Sequence, residues 1–192
     1  MRRRLMLSSA DPWDYEWNPS MGLLSQNGFS TTISGTASER MGTDSVLLFS
    51  AGNGNYISLK NPERFNKSMG VLECVVNLTG FLSAYPNCRV CFGNGTYGIQ
   101  LSIGARNSIC LMDSINSNSY TIIASFQTNT DYKIKLVLDA SIASVYINDQ
   151  LIRSNIPVSD TLFPYSKNTS IWSHAQNADT IVKSVRLKLG RV

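Results

Sequence analysis

From Gly28 to the C-terminus, short runs of alternating apolar and polar residues recur, with turn-forming residues between them. Alternation of period two places one set of side chains on each face of an extended strand, so each run reads as a half-buried strand. Such runs fall at Ser45–Ser50, Tyr56–Leu59, Gly70–Leu78, Arg89–Phe92, Tyr97–Ile103 and Ser108–Met112. They continue at Tyr120–Phe126, Tyr132–Leu138, Ser144–Ile147, Thr169–Trp172 and Ile181–Leu189. No helical period separates them, which excludes a βαβ protein. Two runs give a clear register. Ile99, Leu101 and Ile103 share one face, with Gln100 and Ser102 on the other; Tyr132, Ile134, Leu136 and Leu138 oppose Lys133 and Lys135. One buried and one wet face is the pattern of an antiparallel sheet in a sandwich. The dipeptides Asn53-Gly54, Asn94-Gly95 and Asn148-Asp149 supply residues that tolerate positive φ in tight turns.

Composition agrees with this reading. Among 192 residues, Ser, Thr and Asn supply 55, whereas Glu occurs four times and Ala ten, so strong helix formers are scarce. Before Phe29 the chain changes character: Asp11-Pro-Trp-Asp-Tyr-Glu-Trp-Asn-Pro19 carries two prolines and three aromatics without alternation. Residues 1–27 are therefore expected to form an arm or irregular cap, and 28–192 a single sandwich. Trp13, Tyr15 and Trp17 are too apolar to stand in water, so the arm is expected to dock on the sandwich or on a second copy, as a homo-oligomer contact.

The net charge of +4 is mild. Arg2, Arg3 and Arg4 open the chain, and Lys183, Arg186, Lys188 and Arg191 lie near its end, on a strand with Val185, Leu187 and Leu189 on one face and a wet side opposite. No aromatic-and-basic nucleic-acid motif accompanies them, so no nucleic-acid partner is expected. Leu5, Met6 and Leu7 are too short an apolar run for a secretory signal, and no stretch of about 18 apolar residues predicts membrane insertion. Cys88-Arg-Val-Cys91 has knuckle-like spacing, but a zinc ribbon needs a second pair, and Cys74 and Cys110 stand alone. Buried thiols are the expectation for all four, with no metal site.

The order Asn55-Tyr-Ile-Ser-Leu59, Asp131-Tyr-Lys-Ile-Lys-Leu-Val-Leu-Asp139 and Ala143-Ser-Val-Tyr-Ile-Asn148, closing on Val182-Lys-Ser-Val-Arg-Leu-Lys-Leu189, resembles the concanavalin A-like lectin and glucanase jelly roll in its laminin-G-like form. The likeness covers residues 28–192 and implies an all-β, antiparallel β-sandwich. Asp149 stands where that family usually has glycine after the Asn. The opening Met-Arg-Arg-Arg-Leu-Met6 resembles the start of lectin-like proteins encoded by phages and prophages, which implies a virion or extracellular surface.

Glucanases of this fold set acidic residues at alternate positions of one strand, so that two carboxyls share a groove. Glu73 is the only acid in its run, and Asp14-Tyr-Glu16 lies among prolines. His174 is the only histidine and has no Gly-x-Ser-x-Gly elbow with it. No catalytic residue is therefore expected, and a glycoside hydrolase ranks last. No cofactor is expected either; calcium, which some relatives hold through Asp and Asn oxygens, stays open with Asp113 and Asn116 as the candidates. A glycan binder needs aromatic rings for sugar C–H faces, with amides and hydroxyls beside them. That chemistry gathers at Asn94-Gly-Thr-Tyr97, Asp113-Ser-Ile-Asn-Ser-Asn-Ser-Tyr120, Phe163-Pro-Tyr165 and Trp172 with His174. The candidate site residues are Tyr97, Asp113, Asn116, Asn118, Tyr120 and Trp172, with a glycan as partner. The alternative is a structural surface or virion component that uses the same fold for assembly. Four Asn-x-Ser/Thr sequons, at Asn66, Asn77, Asn94 and Asn168, follow from the Ser/Asn-rich composition and imply no glycosylation.

Overall fold

The computed structural model describes residues 13–50, 56–61, 69–80, 88–93, 98–105, 107–112, 120–139, 142–158, 169–173 and 178–189. In chain order the described strands are β1 (Tyr15–Trp17), β2 (Ser30–Ser34), β3 (Ser38–Met41), β4 (Val46–Ser50), β5 (Tyr56–Asn61), β6 (Met69–Leu78), β7 (Cys88–Gly93) and β8 (Gly98–Ala105). They continue as β9 (Ser108–Met112), β10 (Tyr120–Ser125), β11 (Tyr132–Asp139), β12 (Ile142–Ile147), β13 (Gln150–Pro157), β14 (Thr169–Ser173) and β15 (Ala178–Leu189). Two single 3₁₀ turns, Pro19–Met21 and Leu24–Gln26, are the only helical elements among the described residues.

The strands form two antiparallel sheets. Sheet A runs β13-β12-β11-β6-β15-β4-β3, and sheet B runs β10-β9-β8-β7-β14-β5-β2. Their facing sides make one core, a jelly-roll sandwich. Sheet A contributes Leu48, Leu72, Cys74, Val76, Ile134, Leu136, Leu138, Val145, Val182 and Val185; sheet B contributes Val90, Phe92, Leu101, Ile103, Ile109 and Ile171. The register read from alternation holds in β11, whose buried and half-buried positions alternate from Tyr132 to Leu138.

The long strand β15 lies at the centre of sheet A. It pairs with β6 along Thr180–Leu189, while its other edge serves β4 at Ala178–Val182 and then β1 at Val185–Leu187. A bulge between Val182 and Ser184 shifts the alternation, so that Val182 and Val185, three apart, both face inward. Within the segment read as an irregular arm, Tyr15–Trp17 thus continues a sheet. Trp17 is fully buried, and its indole N–H donates to the Gly22 carbonyl at 3.0 Å. Tyr15 donates its hydroxyl proton to the Asn27 carbonyl and meets the Phe29 ring edge-on; burial pushes its pKa up to about 12. A hydrogen-bond relay crosses the core: Thr180 of β15 donates to the Ser173 hydroxyl of β14 at 2.9 Å, and Ser173 donates to the Leu48 carbonyl of β4 at 3.0 Å.

The β12–β13 turn has both central residues at positive φ, Asn148 at 51° and Asp149 at 64°, which is the twist a two-residue hairpin needs. Asp149 replaces the expected glycine at a steric cost. Its carboxylate pairs with the Lys133 ammonium at 2.8 Å, and the Asn148 side chain accepts from the Lys133 backbone N–H. The remaining turn dipeptides, Asn53-Gly54 and Asn94-Gly95, lie outside the described residues.

The outward face of sheet A is laced with ion pairs. Arg186 reaches Glu16 and Glu73, Lys183 meets Asp131, and Arg40 meets Asp179. The Lys183 ammonium holds the Asp131 carboxyl below the usual carboxylate range. Asn77, one of the sequon asparagines, is buried and donates to Asp131, which leaves it no room for a glycan.

Because Trp17 fills the core beside β15, Trp17→Ala is expected to cost about 3–5 kcal/mol in urea unfolding. A loss under about 1 kcal/mol would show that β1 contributes little to the sandwich.

Candidate functional site

The side of sheet B that faces away from the core carries the candidate aromatics. Register follows from strand pairing across five neighbouring strands. One row of outward residues runs Tyr120, Met112, Gln100 and Cys91; the adjacent row runs Ile122, Cys110, Ser102, Arg89 and Trp172. Trp172 is directed outward because its neighbours Ile171 and Ser173 are both inward and fully buried. Ser173 is the residue tied to Leu48 and Thr180, so the relay through the core fixes the strand that presents Trp172.

This face is not the wet one that alternation in β8 suggested. Gln100 is 4% exposed and Ser102 0%, and Cys91 and Cys110 beside them are buried as well. Gln100 donates its amide N–H to the Met112 sulfur at 2.6 Å. Among the described residues the Ser102 hydroxyl has no hydrogen-bond partner. The floor of this face is therefore closed to solvent, and only its two rims are accessible. Trp172 and Arg89, cross-strand neighbours and both half-buried, make one rim; Tyr120 and Ile122, at 39% and 55% exposure, make the other. Trp172 and Tyr120 lie four strand spacings apart, about 19 Å. One sugar ring cannot touch both, whereas an extended oligosaccharide can.

Of the six residues singled out from the sequence, Tyr120 and Trp172 fall on this one face. Tyr97, Asp113, Asn116 and Asn118 lie outside the described residues, as do Phe163, Tyr165 and His174. Arg89 and Ser102 join the site only through strand pairing. Trp172 lies 83 positions from Arg89 and 70 from Ser102 in the chain, so no local sequence signal could have joined them.

All four cysteines are buried thiols, and among the described residues no group of three or more His, Cys, Asp or Glu is placed to hold a metal ion. The described residues thus offer calcium no set of converging carboxylates. Burial pushes the Cys74 and Cys88 thiols well above their ordinary range. The described carboxylates in ion pairs, Glu16, Glu73, Asp131, Asp149 and Asp179, belong to sheet A or its turns.

No protein-family model matches the sequence, and no curated protein matches it. Solved structures do match. Over 92% of its length the chain superposes on a chain described as a sialidase, with a TM-score of 0.72 and 7% identity, and it spans 18% of that chain. It matches the exoplasmic/lumenal domain of VIP36 in its Ca2+/Man3GlcNAc-bound form at TM-score 0.61 and 8% identity, covering 87% of this chain and 85% of that one. It also matches the binding domain of botulinum neurotoxin DC in complex with rat synaptotagmin II, at TM-score 0.57 and 13% identity, over 85% of this chain and 44% of that one. The chain is therefore much shorter than the sialidase and neurotoxin chains. At these identities the likeness is one of fold, the jelly-roll sandwich of lectins and related binding domains.

Two outcomes are expected. Tyr120→Ala should change stability by less than about 1 kcal/mol, whereas Trp172→Ala, half-buried, should cost about 1–2 kcal/mol; a large loss at Tyr120 would make it a packing residue. The native thiols should resist a disulfide reagent at pH 8 and react once urea unfolds the chain. Fast reaction of two thiols in the native state would show that the floor around Cys91 and Cys110 is open.

Proposed function

We propose that this chain is a non-catalytic glycan-binding module, with the outward face of sheet B as its binding surface. The observation that carries the reading is the Trp172–Arg89 pair. An indole beside a guanidinium offers a sugar an apolar platform for its C–H face and donors for its hydroxyls. Tyr120 at the far rim offers a second ring to a longer chain. Asp113, Asn116 and Asn118 precede Tyr120 in sequence, and Tyr97 precedes β8; their chemistry alone makes them further ligand candidates in this reading.

The fold supports the reading. The similar VIP36 domain is described bound to mannose and to Man3GlcNAc. The sialidase likeness covers only a small part of that enzyme, and the paired carboxylates described above sit on the opposite sheet from Trp172, tied to cations. Most retaining and inverting glycosidases need two carboxyls at the bound sugar, sialidases with their tyrosine nucleophile being an exception. The place of action, a virion or extracellular surface, rests on the opening residues Met1–Met6. A second reading, assembly through protein contacts, draws on the exposed apolar side chains Ile122 and Leu151 at the sandwich edge and on the neurotoxin domain bound to a protein partner.

A glycan array followed by titration tests both readings. Wild type is expected to bind at least one oligosaccharide weakly, to release no reducing ends from it, and to lose about tenfold or more in affinity in Trp172→Ala and in Arg89→Ala. An array without hits, together with a stable symmetric oligomer that buries Tyr120 and Ile122, would establish the assembly reading instead.

A further inference from the structure

Among the described residues, one edge of the sandwich is formed by β10, the last strand of sheet B, and β13, the last strand of sheet A. A groove of about 300 Å³ occupies that seam, with Leu111 and Thr121 on one wall and Arg153, Asn155, Ile156 and Pro157 on the other. Leu111 and Thr121 are cross-strand partners, and Leu111 packs against the core, so their side faces the space between the sheets. Arg153 pairs with Val145, a fully buried core residue, which places Arg153 on the inner side as well.

An inward arginine at this position requires a distorted strand. Ile156 pairs with Ala143 and is also inward, yet Ile156 and Arg153 are three residues apart, a spacing that regular extension would put on opposite faces. Register shifts on both sides of Val145 remove the conflict, and Asn155 adopts φ 54°, a left-handed conformation rare for a non-glycine residue. Bulges of this kind re-aim side chains at sheet edges. The one they re-aim here has no ion-pair or hydrogen-bond partner among the described residues, whereas Arg40 and Arg186 are paired to carboxylates.

We infer that this groove is a subsite for the carboxylate of an acidic sugar. The guanidinium of Arg153 presents the planar fork that a carboxylate accepts bidentately. The Thr121 hydroxyl and the Asn155 amide supply partners for ring hydroxyls, and Leu111, Ile156 and Pro157 supply apolar surface for the ring. The volume suits one sugar residue. Tyr120 and Ile122 flank Thr121 on the outward face of β10, so the seam adjoins the far rim of sheet B. This inference rests on the glycan-binding reading and narrows it to ligands that carry a carboxylate, whether from a uronic acid or from a sialic acid.

The test is titration of wild type and Arg153→Gln with sialyllactose, with an oligogalacturonate, and with lactose as the neutral control. At least one acidic ligand is expected to bind wild type more tightly than lactose, to lose about tenfold or more in Arg153→Gln, and to weaken as salt is raised. Which of the two responds identifies the source of the carboxylate. Arg153 is exposed, so the variant should keep its melting temperature within a few degrees, which separates lost binding from lost fold. Equal affinity of acidic and neutral sugars for wild type, or unchanged acidic binding in Arg153→Gln, would overturn the subsite and leave the Trp172 surface standing. Oligomers appearing in Arg153→Gln with acidic binding intact would likewise overturn it, and would make Arg153 a charge that guards the edge strand against pairing. Wild type that binds no saccharide of either kind on the array or here would overturn the glycan-binding reading together with the subsite.

Discussion

Strand β15 holds sheet A together. On one side it carries the β6-β11-β12-β13 half of the sheet, and on the other it carries β4 and β3 along its first residues and β1 along its last. Without it those groups share no backbone hydrogen bonds. Its bulge at Lys183–Ser184 keeps Val182, Val185 and Leu187 inward over a length that a regular strand would hold in phase only by another sequence. The Thr180 hydroxyl on the same strand begins the relay to Ser173 and Leu48. Buried hydroxyls are costly without partners, so this relay fixes how β14 sits against sheet A, and β14 in turn holds Trp172 outward.

The two outer faces then divide the chemistry. Sheet A presents cations that are matched by carboxylates, Arg186 with Glu16 and Glu73, and Lys133 with Asp149 and Glu73. The excess positive charge of the chain is therefore not gathered into a basic field on the described part of that face, where Lys183 and Arg186 are each paired. Sheet B presents the rings of Tyr120 and Trp172 instead, with Arg89 beside Trp172. A ligand that engages apolar surface and many hydroxyl groups at once fits the second face far better than the first.

The sequence made much of this legible where a single physical rule applied. Alternation located most strands and set the register of β8 and β11, since one face of each is core. It failed at β13, because Gln150–Pro157 contains two register shifts and a left-handed Asn155, so no period of two survives there. It also failed at β1, whose three residues are too few for a pattern and lie among prolines; pairing with β15, not local preference, makes them a strand. The outward face of β8 was legible as polar but not as buried, because burial of Gln100 and Ser102 depends on neighbours such as Met112 from another strand. Trp172 and Tyr120 could be singled out as aromatics in polar surroundings. That they share a face, and that Arg89 joins Trp172, depends on long-range pairing.

We propose that the outward face of sheet B, and not that of sheet A, holds the saccharide. A crystal structure with the tightest-binding oligosaccharide from the array decides it most directly. The expected result is a sugar ring stacked on the Trp172 indole, with its hydroxyls within hydrogen-bond distance of Arg89. A saccharide seated instead on the ion-paired face around Arg186 and Lys133, with Trp172 untouched, would contradict it.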